Sequence, residues 1–290
     1  MPPEQTRRKR MVGRYMEALR KRHDPTLIPE RAAALADTSR TTISRLENGQ
    51  QLPNKHLFAA LLTVYGATDE ERAEAMALWT HARQATLAIK DVDDTPAKYI
   101  AFRRDEADAV AELTINYIAL PGLLQTNAYA RAASSGDPFD TIDEVLRERR
   151  AAERERRRQL LEMDKPLALH AIVSEAVLRM HVGGPGIMAD QLRHLLVMAA
   201  KDNVTIQVMP FAAGSFGPMN GPVVLLRFDD DPVHSHTVYL EYPLGGETVD
   251  RKATVAVFLE IFEAICVRAM SPEDSISFMR SVLSDLEEML

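Results

Sequence analysis

The sequence contains a single cysteine, Cys266, and no long uninterrupted apolar run. One cysteine excludes an intrachain disulfide and a zinc site built on paired cysteines, so a reducing compartment is expected. The most apolar stretch, residues 253–270, contains Glu260, Glu263 and Arg268 and is too short and charged to cross a bilayer. The first residues include no apolar segment of about 7–15 residues, so no secretory signal is predicted. These absences predict a cytoplasmic protein without a membrane partner.

The composition is typical of a globular protein and excludes a disordered or fibrous chain. Of its 290 residues, 46 % are apolar and 27 % are charged, close to the averages for globular domains. Because domains usually contain about 100–200 residues, the length predicts two of them.

Charge is distributed unevenly along the chain. The whole sequence has 35 basic and 42 acidic residues, a formal charge of −7, which taken alone argues against a polyanionic partner. Residues 1–60 carry twelve lysines and arginines against six acids, and the remainder carries 23 against 36. The net charges of the two parts are therefore +6 and −13. This asymmetry is typical of a basic nucleic-acid-binding module joined to an acidic domain.

Helical periodicity covers residues 11–86, with apolar residues at i, i+3, i+4 and i+7 from Val12 onward. The polar segment of residues 91–96 ends in proline and predicts a domain boundary. We therefore expect a mainly α N-terminal bundle in residues 1–90. A larger α+β domain with a small mixed sheet is expected in residues 97–290.

The C-terminal part is predicted to contain helices first and strands later. Residues 97–165 have a helical pattern that ends in a charged, solvated helix at residues 143–164. Four runs rich in Val, Ile, Leu and Tyr are predicted as strands, at residues 167–173, 204–209, 222–228 and 237–242. Further helices are expected at residues 187–200, 251–268 and 272–290. The first two strands flank a helix and predict a parallel pair, and residues 211–221 predict a hairpin-like return.

Residues 29–46 have the pattern of two short helices joined by a tight turn. Ala33 supplies the small residue at the crossing, Asp37 suits the turn, and Ser39 caps the second helix. The outer face of that helix then carries hydrogen-bond donors and no acid: Arg40, Thr41, Thr42, Ser44 and Arg45. Such a face suits the DNA major groove, but the same geometry also occurs in a plain corner of a helical bundle.

Residues 38–49 favour the DNA-binding alternative. Their sequence, Thr-Ser-Arg-Thr-Thr-Ile-Ser-Arg-Leu-Glu-Asn-Gly, resembles the recognition-helix signature of the lambda-repressor-like, xenobiotic-response-element family of helix-turn-helix regulators. The resemblance covers roughly residues 11–80. It identifies the N-terminal bundle as a helix-turn-helix domain whose partner is a double-stranded DNA operator.

The resemblance implies a set of DNA-contacting residues. Those that match base-contacting positions are Arg40, Thr41, Thr42 and Arg45. Ser39 is implied to touch the DNA backbone, and Asn54 and Lys55 to reach phosphates from the start of the fourth helix. Pro29 and Asp37 stand where the family usually has Gln and Gly, and both are compatible with the fold.

Two arginines are the candidates for direct base readout. The guanidinium groups of Arg40 and Arg45 match the two acceptors of guanine, and Thr41 and Thr42 suit thymine methyls or phosphates. The basic arm at residues 7–10 is expected either on phosphates or in a minor groove, or as a frayed, solvated tail.

Residues 97–290 resemble the antitoxin-like C-terminal domain of uncharacterised function that follows such a helix-turn-helix in many actinobacterial regulators. The matching segments are residues 120–131, 174–179, 183–185, 191–196, 204–211 and 271–275. This resemblance implies a role in sensing or in partner binding, often of a small protein encoded beside the regulator.

Two clusters in the C-terminal part are candidate sites. Four residues are predicted at the mouth of a pocket for a small-molecule effector: Met209, Phe211, Tyr239 and Glu241. Residues 229–231 with His234 and His236 have metal-ligand side chains, but a solvated hairpin loop more often contains such a cluster, so no metal is expected.

Catalysis has no support in the sequence. No GxSxG, HExxH or dinucleotide-binding motif occurs, and Cys266 lies among apolar residues, as a buried structural thiol does. We expect no enzyme and no cofactor. The primary expectation is a sequence-specific transcription regulator that acts as a homodimer. The alternative is an antitoxin-like interaction module that binds a small protein encoded nearby and autoregulates its operon.

Overall fold

The computed structural model describes residues 6–83, 97–135, 157–214, 221–229, 236–242 and 245–290. These residues form two compact units, of which the first extends to Asp105 and the second begins at Glu106. The predicted linker at residues 91–96 lies outside the described residues. Among the described helices, none has both the length and the apolar character needed to cross a membrane.

The first unit is helical throughout its described residues. Its helices are α1 (Arg7–His23), α2 (Pro29–Leu35), α3 (Arg40–Glu47), α4 (Lys55–Val64), α5 (Asp69–Arg83) and most of α6 (Ala97–Asp108). One apolar core joins α1 to α5, and Met16 of α1, Ile43 of α3 and Phe58 of α4 are fully buried in it. Trp79 of α5 stacks on Phe58, and its Nε1 donates to the Pro53 carbonyl at 3.1 Å. The predicted α-helical bundle is confirmed.

The basic arm at residues 7–10 is the first turn of α1, so the expectation of a frayed tail is wrong. Thr6 caps this helix by accepting a hydrogen bond from the backbone N–H of Lys9. Asp105 accepts a hydrogen bond from the backbone N–H of Arg7 at 2.7 Å and forms an ion pair with Arg10 at 3.0 Å. The buried carboxylate therefore fixes the start of α1.

The second unit contains a six-stranded mixed sheet with the strand order β3-β2-β1-β4-β5-β6. The strands are β1 (Ala111–Asn116), β2 (Ala168–Ser174), β3 (Val204–Met209), β4 (Val223–Arg227), β5 (His236–Tyr242) and β6 (Gly245–Val249). The first three strands are mutually parallel, and β4, β5 and β6 continue the sheet in antiparallel pairs. This sheet confirms the predicted α+β class of the C-terminal part.

Helices cover both faces of the sheet. They are α7 (Asn127–Ser135), α8 (Glu175–Arg179), α9 (Pro185–Met198), α10 (Lys252–Arg268) and α11 (Pro272–Glu287). One core contains Ile206 of β3, Leu192 of α9 and Met279 of α11. A second core contains Ile172 of β2 and Phe262 of α10. The helices α9 and α11 thus share one apolar core with the sheet, and α10 contributes to the other.

Two strands were not predicted. β1 lies in the segment that was expected to be helical, although its residues alternate between apolar and polar types as in a strand. Glu112, Thr114 and Asn116 lie on one face of β1 and are buried. Alternation of apolar and polar residues usually indicates a strand whose polar face is exposed to solvent. β6 has two glycines, which are weak strand formers. Tyr239 packs over Gly246, where a Cβ would overlap its ring.

The predicted hairpin-like return at residues 211–221 is wrong. β3 is an edge strand, and β4 pairs with β1 and β5 instead, so the connection passes over two strands. Most of the predicted solvated helix at residues 143–164 lies outside the described residues. Near its end, Arg157 and Leu160 are buried, and Arg157 forms an ion pair with Glu106, so this end is solvated only in part, with the last residues, 162–164, exposed as expected.

Candidate nucleic-acid interface

The two helices α2 and α3 are joined by a turn that places Asp37 in the left-handed region, with φ = 48°. Aspartate tolerates this conformation better than most residues. Pro29 begins α2, and the buried Ala33 lies on its inner side. Ser39 caps α3, because its Oγ accepts a hydrogen bond from the backbone N–H of Thr42 at 3.1 Å. The local sequence therefore specifies the start and direction of α3.

The outer face of α3 is open to solvent. Arg40, Thr41 and Arg45 are exposed, and Thr42 and Ser44 are half-buried. Ile43 and Leu46 point into the core and are fully buried. The five predicted donor residues thus lie on one short helix, and the N-terminus of a helix favours anions.

The start of α4 supplies two further predicted contacts. Asn54 caps α4, because its Oδ1 accepts a hydrogen bond from the backbone N–H of Leu57 at 2.9 Å. Lys55 follows as the first residue of the helix and is exposed. Both residues are therefore at a helix N-terminus, where phosphate binding is favourable.

Glu30 of α2 forms an ion pair with Arg40, one of the two arginines that are candidates for base contacts. Glu30 forms an ion pair with Nε of Arg40 at 2.7 Å, and the Arg40 side chain is 69 % exposed. No ion pair of Arg45 is found among the described residues. The carboxylate of Glu30 therefore competes with any other acceptor for Nε of Arg40.

The other end of α3 is fixed by a buried ion pair. Arg20 of α1 binds both carboxylate oxygens of Glu47, at 2.6 Å and 2.7 Å, and it also donates to the Leu27 carbonyl. The two side chains are only 6 % and 8 % exposed. The hydrogen bond to Glu47 raises the pKa of Arg20, so the guanidinium group stays charged. Sequence reasoning missed Arg20, because nothing local indicates a partner 27 residues away.

Two glycines bring α1 close to the end of α3. A Cβ on Gly13 would lie 2.5 Å from the carbonyl oxygens of Leu46 and Glu47. Gly49 has φ = +65°, and a Cβ there would overlap the backbone of Arg10. Only residues without side chains fit these contacts, so both glycines set the distance between the two helices.

These features define a helix-turn-helix with an exposed second helix. A family described as a helix-turn-helix domain matches residues 12–75, and this region is a helix-turn-helix DNA-binding domain. A second family, described as a domain of unknown function (DUF5753), matches residues 99–281, more than half of the chain. The chain belongs to this second family. Neither a curated protein nor a solved structure matches the chain.

In the second unit, the segment at residues 120–131 is used for packing. The Tyr129 hydroxyl accepts a hydrogen bond from the backbone N–H of Leu120 at 3.4 Å. The buried Gln191 of α9 binds the Thr126 N–H and the Leu124 carbonyl, both at 2.7 Å. These contacts hold the turn before α7 against α9 and give the segment a structural role.

The four predicted pocket residues do not lie together. Met209 is on β3 and Tyr239 is on β5, and three strands separate them. Both of these side chains are buried, whereas Phe211 is 60 % exposed and Glu241 is exposed. The prediction of one pocket mouth is therefore wrong, because the strand order places β3 and β5 far apart in the sheet.

The remaining candidates are a metal cluster and the cysteine. His234 and residues 230–231 lie outside the described residues, and the described part holds no group of three ligands placed for a metal. Burial raises the pKa of Cys266 to about 11. Its Sγ lies 3.9 Å from Nε2 of His170. At neutral pH this thiol is protonated and unreactive.

Proposed function

We propose that this chain is a sequence-specific transcription regulator that inserts α3 into the major groove of an operator. The observation that carries the proposal is the difference between the two sides of α3. Its inner side is fixed by Arg20, Gly13 and the apolar core, and its outer side presents hydrogen-bond donors and no acid. A rigid helix with exposed donors is what base readout requires.

The contacts divide into two kinds. Arg40 and Arg45 are proposed to bind guanine, with Thr41, Thr42 and Ser44 beside them. Phosphate contacts are assigned to the N-termini of α3 and α4, through Ser39, Asn54 and Lys55. The first 60 residues supply a net charge of +6, which provides the salt-dependent attraction to DNA.

The test compares two variants on the operator obtained by genome-wide footprinting of the native host. Arg45→Ala is expected to relax the preference at one base position by about 1–3 kcal/mol. Lys55→Ala is expected to weaken binding to all sequences and to reduce the salt slope by about 1.

Arg280→Ala is the matched control, since it removes the same charge from the second unit. Wild-type affinity and specificity in the double variant Arg40→Ala/Arg45→Ala would refute the assignment of α3.

The DUF5753 domain is proposed to control this DNA binding in response to a ligand or a protein. The proposed control requires no catalytic step. An antitoxin-like role remains the second candidate. Purification of the chain from its native host separates them, because an antitoxin-like protein brings a stoichiometric small protein with it. We further propose that the regulator acts as a homodimer on two half-sites about one helical turn apart.

A further inference from the structure

Helix α10 has an apolar inner face and also exposes apolar residues along part of its outer face. Its inner face packs against the sheet through Val255, Phe262 and Ile265. Its outer face exposes Val257 by 51 % and Val267 by 87 %. A surface helix normally has a polar outer face, so an exposed apolar strip on such a helix is typical of a surface that a partner covers.

The exposed residues form a regular seam along the helix: Ala253, Val257, Glu260, Ala264 and Val267. Their spacing alternates between four and three residues, which is the spacing of the contact positions in a two-stranded coiled coil. The seam extends over almost the whole of α10, which begins at Lys252 and ends at Arg268. A partner that fits it must present a helix with the same periodicity.

Charges beside the seam favour a second copy of this chain in a parallel arrangement. In a parallel pair of helices, the residue that directly precedes a seam position lies beside the partner's residue that is five places further along the sequence. Glu263 and Arg268 have this spacing and opposite charges. Glu263 forms no ion pair among the described residues, and Arg268 donates only to the Ala213 carbonyl, at 2.6 Å. Two copies would therefore form two Glu263–Arg268 pairs, one on each side of the seam.

We propose that the outer face of α10 is the surface through which two copies of this chain associate, with their α10 helices parallel. This inference rests on the proposed function, to which it adds the dimer interface. A two-fold axis makes the contact self-complementary, because each copy offers the same seam to the other.

Glu260 is the one charged residue within the seam. In the parallel pair the two Glu260 carboxylates lie opposite each other and repel, so the association is weaker than that of a fully apolar seam. A polar residue at such a position also fixes the register of the two helices. Glu260→Leu is expected to tighten the dimer about tenfold or more.

The experiment is disulfide cross-linking of the full-length chain in a Cys266→Ala background. Val267→Cys places a thiol on the two-fold seam, and a parallel pair brings the two thiols within the range of a disulfide. Oxidation is expected to join two copies of the Val267→Cys variant by a disulfide. Val197→Cys is the matched control, because Val197 is 63 % exposed on α9, and it should stay monomeric. Equal cross-linking of both variants overturns the proposal. So does the absence of cross-linking at Val267→Cys, which is also the result that an antiparallel pair of helices would give.

Charge exchange gives an independent measurement by analytical ultracentrifugation. Glu263→Arg and Arg268→Glu should each raise the dimer dissociation constant severalfold, and the double variant should restore it. A double variant weaker than both single variants contradicts the parallel pairing.

DNA binding is measured separately on the uncross-linked proteins. An operator-binding chain that does not cross-link disproves the interface and leaves the proposed function intact. A chain that cross-links but does not bind the operator disproves the proposed function and leaves the interface intact.

Discussion

The two ends of helix α3 differ in how they are held. The end at Glu47 is fixed by a buried, bidentate ion pair and by two glycines that allow α1 to approach. The end at Arg40 has the local Ser39 cap and one exposed ion pair with Glu30, and its side chains are otherwise open to solvent. The difference shows that the position of α3 is set behind its C-terminal end, while its N-terminal side chains keep the freedom to change partners.

The largest expected effect follows from removal of the buried charge of Glu47. In Glu47→Gln, Arg20 keeps its charge in a buried position without its carboxylate, and the first unit should lose about 3 kcal/mol of stability. Trp79 is the only tryptophan of the chain, so its fluorescence during urea unfolding reports on this unit alone.

The control for Glu47→Gln is Glu17→Gln, which breaks the exposed Glu17–Lys21 pair of α1. Its effect should remain within about 0.5 kcal/mol. Comparable losses in the two variants would mean that the buried pair does not hold α3.

Gly13→Ala tests whether close contact positions α3. Alanine in place of glycine normally stabilises a helix by about 1 kcal/mol. At Gly13 the added Cβ overlaps two carbonyl oxygens of α3, so a net loss of about 1–2 kcal/mol is expected. The same urea titration measures it, with the exposed Ala18→Gly as the reference for the ordinary propensity. A stabilised Gly13→Ala would show that the two helices are free to separate.

The smallest expected effect concerns the open end of α3. Glu30→Gln frees Arg40 and should increase operator affinity by about two- to fivefold at low salt, because an exposed ion pair contributes at most about 1 kcal/mol. Its unfolding curve should be unchanged. Asp37→Asn is the control, since it removes the same charge from the turn without touching Arg40. Equal gains in both variants would assign the effect to net charge rather than to the ion pair.

Sequence patterns predicted the N-terminal unit better than the second. Its helices depend on local signals, such as the Ser39 and Asn54 caps and the periodic core residues, and these can be read in short windows. The Arg20–Glu47 pair and the Gly13 contact join residues that are distant in sequence, and no local pattern contains them. Their discovery required the three-dimensional structure.

The second unit shows the same limit in its sheet. β1 lies within residues 97–165, which were expected to be helical, and the fold buries its polar residues Glu112 and Asn116. β6 was missed because its glycines form a strand only where Tyr239 covers Gly246. The predicted pocket failed because the strand order, which places β3 and β5 apart, depends on pairings between residues that are distant in sequence.

The strand order has a consequence for the order of folding during synthesis. β1 is an inner strand, and Ala111 pairs with Ala168 on one side and with Arg227 on the other. Such distant pairings cannot form until the later strands have left the ribosome, whereas helix contacts close in sequence form early. The helices α1 to α5 can therefore be folded on a nascent chain whose sheet is still incomplete.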